Sequence, residues 1–127
     1  MSEAICAALL ALAFLSVKHT FCDFFLQTTY QFSNKGTYGH LGGVLHAGLH
    51  ALFTLPVFLI LPPASILVGA MIIVGEFVIH YHLDWSKEQL VSRFGLGQAD
   101  SWFWHLFGLD QLGHILTYIV IVAILLK

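Results

Sequence analysis

The run Glu76-Phe-Val-Ile-His80-Tyr-His-Leu-Asp84-Trp-Ser-Lys87 sets two carboxylates, an imidazole on their spacing and an ammonium into an otherwise apolar stretch. On a helix Glu76, His80 and Asp84 fall at i, i+4 and i+8, one above another, and Lys87 lies one turn beyond on nearly the same side. The result is one polar stripe on an apolar cylinder. The apolar segment that carries it runs from about Ala64 to about Val91, longer than the roughly 20 residues needed to cross a bilayer.

Composition decides what such a stripe costs. The chain has 127 residues, 58% of them hydrophobic and 9% charged, with mean hydropathy +0.85. A soluble domain carries about 25% charged residues, so this is the composition of a membrane protein. The net charge of -2 comes without a basic or acidic block, and nothing points to nucleic acid. Cys6 and Cys22 sit sixteen residues apart in one apolar segment, too distant along a helix to bridge, and read as buried apolar fillers.

Outward from the stripe, three further segments follow the same logic. The first runs from about residue 3 to residue 31. Glu3 stands where a signal peptide carries basic residues, and the apolar run continues past Lys18 into Phe21, Phe24 and Phe25, so a membrane helix is expected there and not a cleaved leader. Ser33-Asn34-Lys35-Gly36 reads as a helix stop and polar turn. The second segment covers about 40–61 and closes at Pro62-Pro63; the third is 64–91; the fourth is 101–126, after a loop that contains Gly95 and Gly97. In lipid only helices and closed barrels satisfy the backbone, and runs this long without alternation are helices. The expected fold is all-α: one domain, residues 1–127, an antiparallel bundle of four transmembrane helices in contact with the lipid bilayer.

The loops bearing Lys35 and Arg93 share one face, with Lys87 near it, whereas the other face holds only Lys127. By the positive-inside rule those loops are cytoplasmic and both termini lie outside the cytoplasm. Tyr30, Tyr38, Trp85, Trp102 and Trp104 gather at the same ends and read as an interfacial aromatic belt.

Every helix contributes an i, i+4 pair of metal-ligating residues: His19 and Asp23, His46 and His50, His80 and Asp84, Asp110 and His114. The pairs of the first and third helices lie before the cytoplasmic ends and those of the second and fourth a similar distance after them. At about 1.5 Å per residue all eight side chains fall in one slab and can meet inside the bundle. A carboxylate at mid-membrane costs roughly 2.5 to 3.5 kcal/mol even on the lenient scale, so three aspartates need partners. A divalent cation supplies them. Imidazole with carboxylate and no thiolate suits Zn, Fe or Mn, one or two ions, and a hydrolytic or oxidative centre. Di-iron bundles use inward ligands from four helices in a related way, although with a spacing of three.

Each residue also has a plainer reading. A single membrane histidine is often an interhelical hydrogen-bond partner; it is the agreement of eight in depth and face that points to a metal. Glu76, a turn deeper than His80, reads as a general base, as an orienter of an imidazole, or as a protonated hydrogen-bond partner. Gln27 and Gln111 read as donors to the ligands. His40, His82 and His105 fall at helix ends or off the stripe and read as interfacial. Pro56 is expected to kink the second helix, and Gly42, Gly43 and Gly48 to allow close backbone approach.

The motif series His19-x-x-x-Asp23-Phe-x-x-Gln27, His46-x-x-x-His50, His80-x-x-x-Asp84-Trp-x-Lys87 and Asp110-Gln111-x-x-His114 resembles the bacterial family catalogued as domain of unknown function 3307. The resemblance implies a small multi-pass inner-membrane protein without an assigned reaction. A looser similarity, resting on the histidine-rich helical pattern, links the chain to membrane-bound metal-dependent hydrolases, and implies a hydrolase only by analogy.

Three functions are compatible with these residues. As a hydrolase, the chain would hold Zn near the cytoplasmic interface, where a membrane-accessible or cytoplasmic small substrate is attacked by bound water, with Glu76 or an aspartate taking the proton and Lys87 stabilising negative charge. As an ion or proton transporter or a metal sensor, the same cluster would bind its ion in transit. A bis-histidine haem bundle is the third reading, weakened because it leaves the aspartates without partners. A relay across the bilayer would extend through the outer halves of the helices, which lack ionisable groups except Tyr118; this favours an enzyme or a one-sided sensor.

Overall fold

The computed structural model describes residues 2–127. Among them every regular element is helical. Helix α1 (Glu3–Phe21) begins at Ser2, whose side chain caps the amide of Ile5, and continues without a break into a π-helical turn, Cys22–Leu26. At Gln27 the backbone turns extended, and Thr28 starts a new short helix, α2 (Thr29–Asn34), through a reciprocal capping box with Gln31. The first apolar segment is thus not one rod to residue 31. The Thr28-x-x-Gln31 pair satisfies orphan amides at a fresh N-terminus, and this local signal outweighs the continuous hydropathy.

Helix α3 (Leu41–Leu52) carries the second segment only part of the way; a 3₁₀ turn, Leu55–Leu59, completes it. Pro56 lies in the first turn of that 3₁₀ element, where its missing amide costs nothing, so the helix ends before the proline instead of kinking at it. Helix α4 (Ile66–Arg93) starts at the Ser65 cap and stops at Gly95, whose positive φ of 61° lets Leu96 bond back to Val91, a closure that favours glycine. Helix α5 (Ser101–Leu125) completes the chain.

Four spans, Glu3–Leu26, Leu41–Leu59, Ile66–Arg93 and Ser101–Leu125, are long and apolar enough to cross a membrane. The protein is a multi-pass membrane bundle. Large apolar side chains such as Phe25, Leu59 and Ile66 point outward, as expected where lipid and not water is the solvent. Cys22 is buried as expected, whereas Cys6 is exposed on the outer face of α1. Around the bundle α3 packs on α4, α4 on α5 and α5 on α1, with the π turn reaching back to α3.

The interior has two halves of different chemistry. One is an apolar core that includes Ala11, Leu15, Val57, Ile72, Ile121 and Leu125. The other is polar, and two glycines shape it. A Cβ on Gly42 would stand 2.7 Å from the carbonyl oxygen of Tyr30, and one on Gly43 would press on Tyr81 and lie 3.6 Å from the Cα of Lys35. Without side chains there, α2 and the turn after it lie directly on α3. That contact brings Lys35 back inside, where it is 6% exposed.

Candidate metal centre

The four i, i+4 pairs reach the same place from four helices. His19 is in the last turn of α1 and Asp23 in the π turn that follows; His46 and His50 face inward from α3, His80 and Asp84 from α4, Asp110 and His114 from α5. His46 and His50 are fully buried, His80 and His114 nearly so. Asp23 is the most accessible of the eight, with 13% of its side chain exposed. The π turn adds a residue to the helical circuit, and Asp23 occupies it.

Distances define a compact cluster. Asp23 Oδ1 lies 3.0 Å from His50 Nε2 and 3.2 Å from His46 Nε2, and its Oδ2 lies 3.1 Å from His19 Nε2. Asp84 Oδ2 lies 3.3 Å from His46 Nε2 and 3.6 Å from His80 Nε2, while its Oδ1 is 3.4 Å from His114 Nε2. Asp110 Oδ1 is 3.5 Å from the same nitrogen. The rings of His50 and His80 are centred 3.8 Å apart, those of His80 and His114 4.1 Å. Ligand atoms converge within 4.8 Å of one another in three sets: Asp23, His46, His50 and His80; His19, His80 and His114; Asp84, Asp110 and His114. All eight residues singled out in the sequence belong to at least one set.

Hydrogen bonding tests whether these atoms are arranged for one another or for something else. His46 Nε2, His80 Nε2, His114 Nε2 and Asp110 Oδ1 are buried without a hydrogen-bond partner, although carboxylate oxygens or imidazole nitrogens lie within 3.2 to 3.6 Å of each. Near one another but outside hydrogen-bonding geometry, they are left unpaired within the cluster. A buried polar atom left unpaired costs about 1 to 3 kcal/mol, so a cluster of them is retained only where something else completes it. Neutral imidazole nitrogens and carboxylate oxygens are the donors of a transition-metal site, and these residues fit one.

The surroundings hold the candidate ligands in place. Tyr118 Oη lies 2.9 Å from His19 Nδ1, so that His19 turns Nε2 toward the cluster, where Gln111 Oε1 is 3.2 Å away. Such bonds fix ring orientation and tautomer. Gln27 donates to the backbone carbonyl of Asp23 at 3.2 Å, tying the π turn to the residues that end it.

Charge is arranged differently from the sequence expectation. Lys18 of α1 crosses the bundle to Glu76 of α4, 2.5 Å away, and also donates to the carbonyl of His50. Both side chains are almost wholly buried. Lys35 lies 3.0 Å from Asp84. Lys87, expected to stabilise negative charge at the site, has its ammonium 2.7 Å from Glu88. Three aspartates and Glu76 therefore face Lys18 and Lys35, and two negative charges remain over. A divalent cation would balance them. Lys18 and Lys35 were not among the residues expected at the site. A lysine inside an apolar run was itself a signal for the first, since buried charge needs a partner; Lys35, in a polar turn, gave none.

The histidines read as interfacial stay off the cluster. His40 caps α3 by accepting from the Gly42 amide at 3.1 Å. His82 is exposed and bonds Val78 O and Tyr38, and His105 is exposed with its ring edge-on to Trp102.

The family described as protein of unknown function (DUF3307) matches residues 10–127, nearly the whole chain, and the protein belongs to it. No curated protein and no solved structure matches. The looser similarity to membrane-bound metal-dependent hydrolases has no counterpart among these findings.

Proposed function

We propose that this family member is an integral-membrane metalloprotein whose His/Asp cluster binds divalent transition metal, Zn in the first instance, and uses it for hydrolysis near the cytoplasmic face of the bacterial inner membrane. The observation that carries the proposal is the set of buried, unpartnered ligand atoms on His46, His80, His114 and Asp110, converging with those of Asp23 and Asp84. A bound transition metal would lower the pKa of a coordinated water to about 7 and polarise a carbonyl or phosphoryl oxygen.

The chain's own residues supply the rest. Asp23 is the most accessible carboxylate of the cluster, so water and substrate reach the ligand atoms on its side. Glu76 is engaged by Lys18 through Oε1 and keeps Oε2 unpartnered; through Lys18 it holds the carbonyl of His50, and so the register of α3. Lys35 holds Asp84. With Arg93 and Lys35 on the cytoplasmic side, both termini lie outside the cytoplasm, and substrate reaches Asp23 from that interface.

Transport is the competing use of such residues. It is disfavoured by the apolar core of Ala11, Leu15, Val57, Ile72 and Ile121 that fills the other half of the bundle, where an ion would find no ligand. A one-sided site is what hydrolysis or sensing needs.

Metal analysis of detergent-purified protein tests the proposal. At least one equivalent of transition metal is expected, lowered by His50→Ala, Asp84→Asn or Asp110→Asn and unaffected by His82→Ala or His105→Ala. Metal-free protein with intact helical content, and no uptake on dialysis against Zn, would refute it. A screen of phosphoester, acyl ester and peptide substrates in lipid then decides the reaction.

A further inference from the structure

The convergent ligand atoms do not form one sphere. Asp23, His46, His50 and His80 form one set, Asp84, Asp110 and His114 another, and the two share no residue. The third set, His19, His80 and His114, borrows one imidazole from each and shows that the two adjoin. Asp84 spans the same boundary, with Oδ2 3.3 Å from His46 Nε2 and Oδ1 3.4 Å from His114 Nε2. We infer, given the metal-binding reading above, that the cluster is a two-ion centre with unequal subsites: a nitrogen-rich one from the first set, filled first, and an oxygen-rich one from the second, filled later and more weakly.

Donor chemistry and charge both give this order. Three imidazoles and a carboxylate make the four-ligand complement of a closed Zn site. One imidazole and two carboxylates make a harder, incomplete set, which leaves positions for water or substrate and suits Mn as well as Zn. The first dication cancels the two surplus negative charges of the interior, so the second enters a site without net attraction. Lys35, 3.0 Å from Asp84, opposes it further. Unpartnered atoms lie in both sets, His46 Nε2 and His80 Nε2 in the first and His114 Nε2 and Asp110 Oδ1 in the second. A single ion would satisfy only one of them.

The test uses the full chain in detergent, stripped of metal and titrated with Zn²⁺ or Mn²⁺ alone. Wild type is expected to bind two equivalents of Zn²⁺, the second at least tenfold more weakly. His50→Ala should lose the tight step, and Asp110→Asn the weak step only. Helical circular dichroism and gel-filtration behaviour check that each variant folds. Because either might not, wild type is also loaded with Mn²⁺ to saturation and examined by electron paramagnetic resonance. Adjoining ions give an exchange-coupled spectrum, while isolated ions give six lines at every loading. One equivalent of Zn²⁺, lost alike in both variants, or an uncoupled Mn²⁺ spectrum at saturation would overturn the two-subsite inference and leave metal binding standing. No binding of either ion to folded wild type would instead remove the metal-binding reading itself.

Discussion

Removing Lys18 should unsettle this bundle more than removing any ligand. Its ammonium and the Glu76 carboxylate are 2.5 Å apart with side chains 3% and 1% exposed, and they join α1 to α4 across the centre. At an effective dielectric of about 20 their attraction is about 6 to 7 kcal/mol, most of which offsets the desolvation of the two charges. Lys18→Met keeps the apolar stem and leaves Glu76 charged, buried and unpaired. It also deprives the His50 carbonyl of its donor. The expected loss is about 3 to 5 kcal/mol, the usual consequence of breaking a buried pair from one side. Glu76→Gln, which strands the ammonium, should cost a similar amount. The double variant Lys18→Met/Glu76→Gln removes both charges and should cost no more than either single, so that the cycle gives a coupling of at least about 3 kcal/mol. Reversible unfolding in mixed micelles, on metal-free protein so that the ligand cluster does not contribute, measures all four corners. If Lys18→Met lies within about 0.5 kcal/mol of wild type, or if the double variant equals the sum of the singles, the pair does not hold the bundle as argued.

Three further outcomes are expected. Gly42→Ala places a Cβ 2.7 Å from the Tyr30 carbonyl oxygen and should cost about 1 to 3 kcal/mol in the same unfolding assay, while Gly75→Ala, where nothing lies within 4 Å, should not; equal effects would show that helix propensity and not contact governs both. Lys35→Met removes the cation beside Asp84, so metal should bind several-fold more tightly by Coulomb's law and stabilise the variant more than it does wild type; weaker binding would mean that Lys35 serves to orient Asp84 for its ion. Single cysteines at the exposed positions Ser33 and Gln98, in a Cys6→Ala/Cys22→Ala background, should react with impermeant reagents from the cytoplasmic side only, and labelling from outside would invert the topology.

What the sequence by itself determined is whatever depends on repeats along one chain segment. Apolar runs of bilayer length yield four spans, and i, i+4 spacing places His19 with Asp23 or Asp110 with His114 on one helix face, because helical period is a local property. Equal depth in alternating helices then predicted that all eight side chains meet at one level, and their nitrogen and oxygen atoms lie together in three overlapping groups. Tertiary structure alone decided the partners. Lys18 and Glu76 are 58 residues apart and meet because of how α1 and α4 are rotated about their axes; no periodicity encodes that angle. Lys35 reaches Asp84 only because the chain breaks at Gln27, restarts at Thr28 and folds α2 onto the bare backbone of Gly42 and Gly43. The grouping of the candidate ligand atoms likewise follows from which imidazole nitrogens approach which carboxylate oxygens. Those distances are set by the packing of α3, α4 and α5 around the π turn, where a shift of an ångström exchanges one neighbour for another.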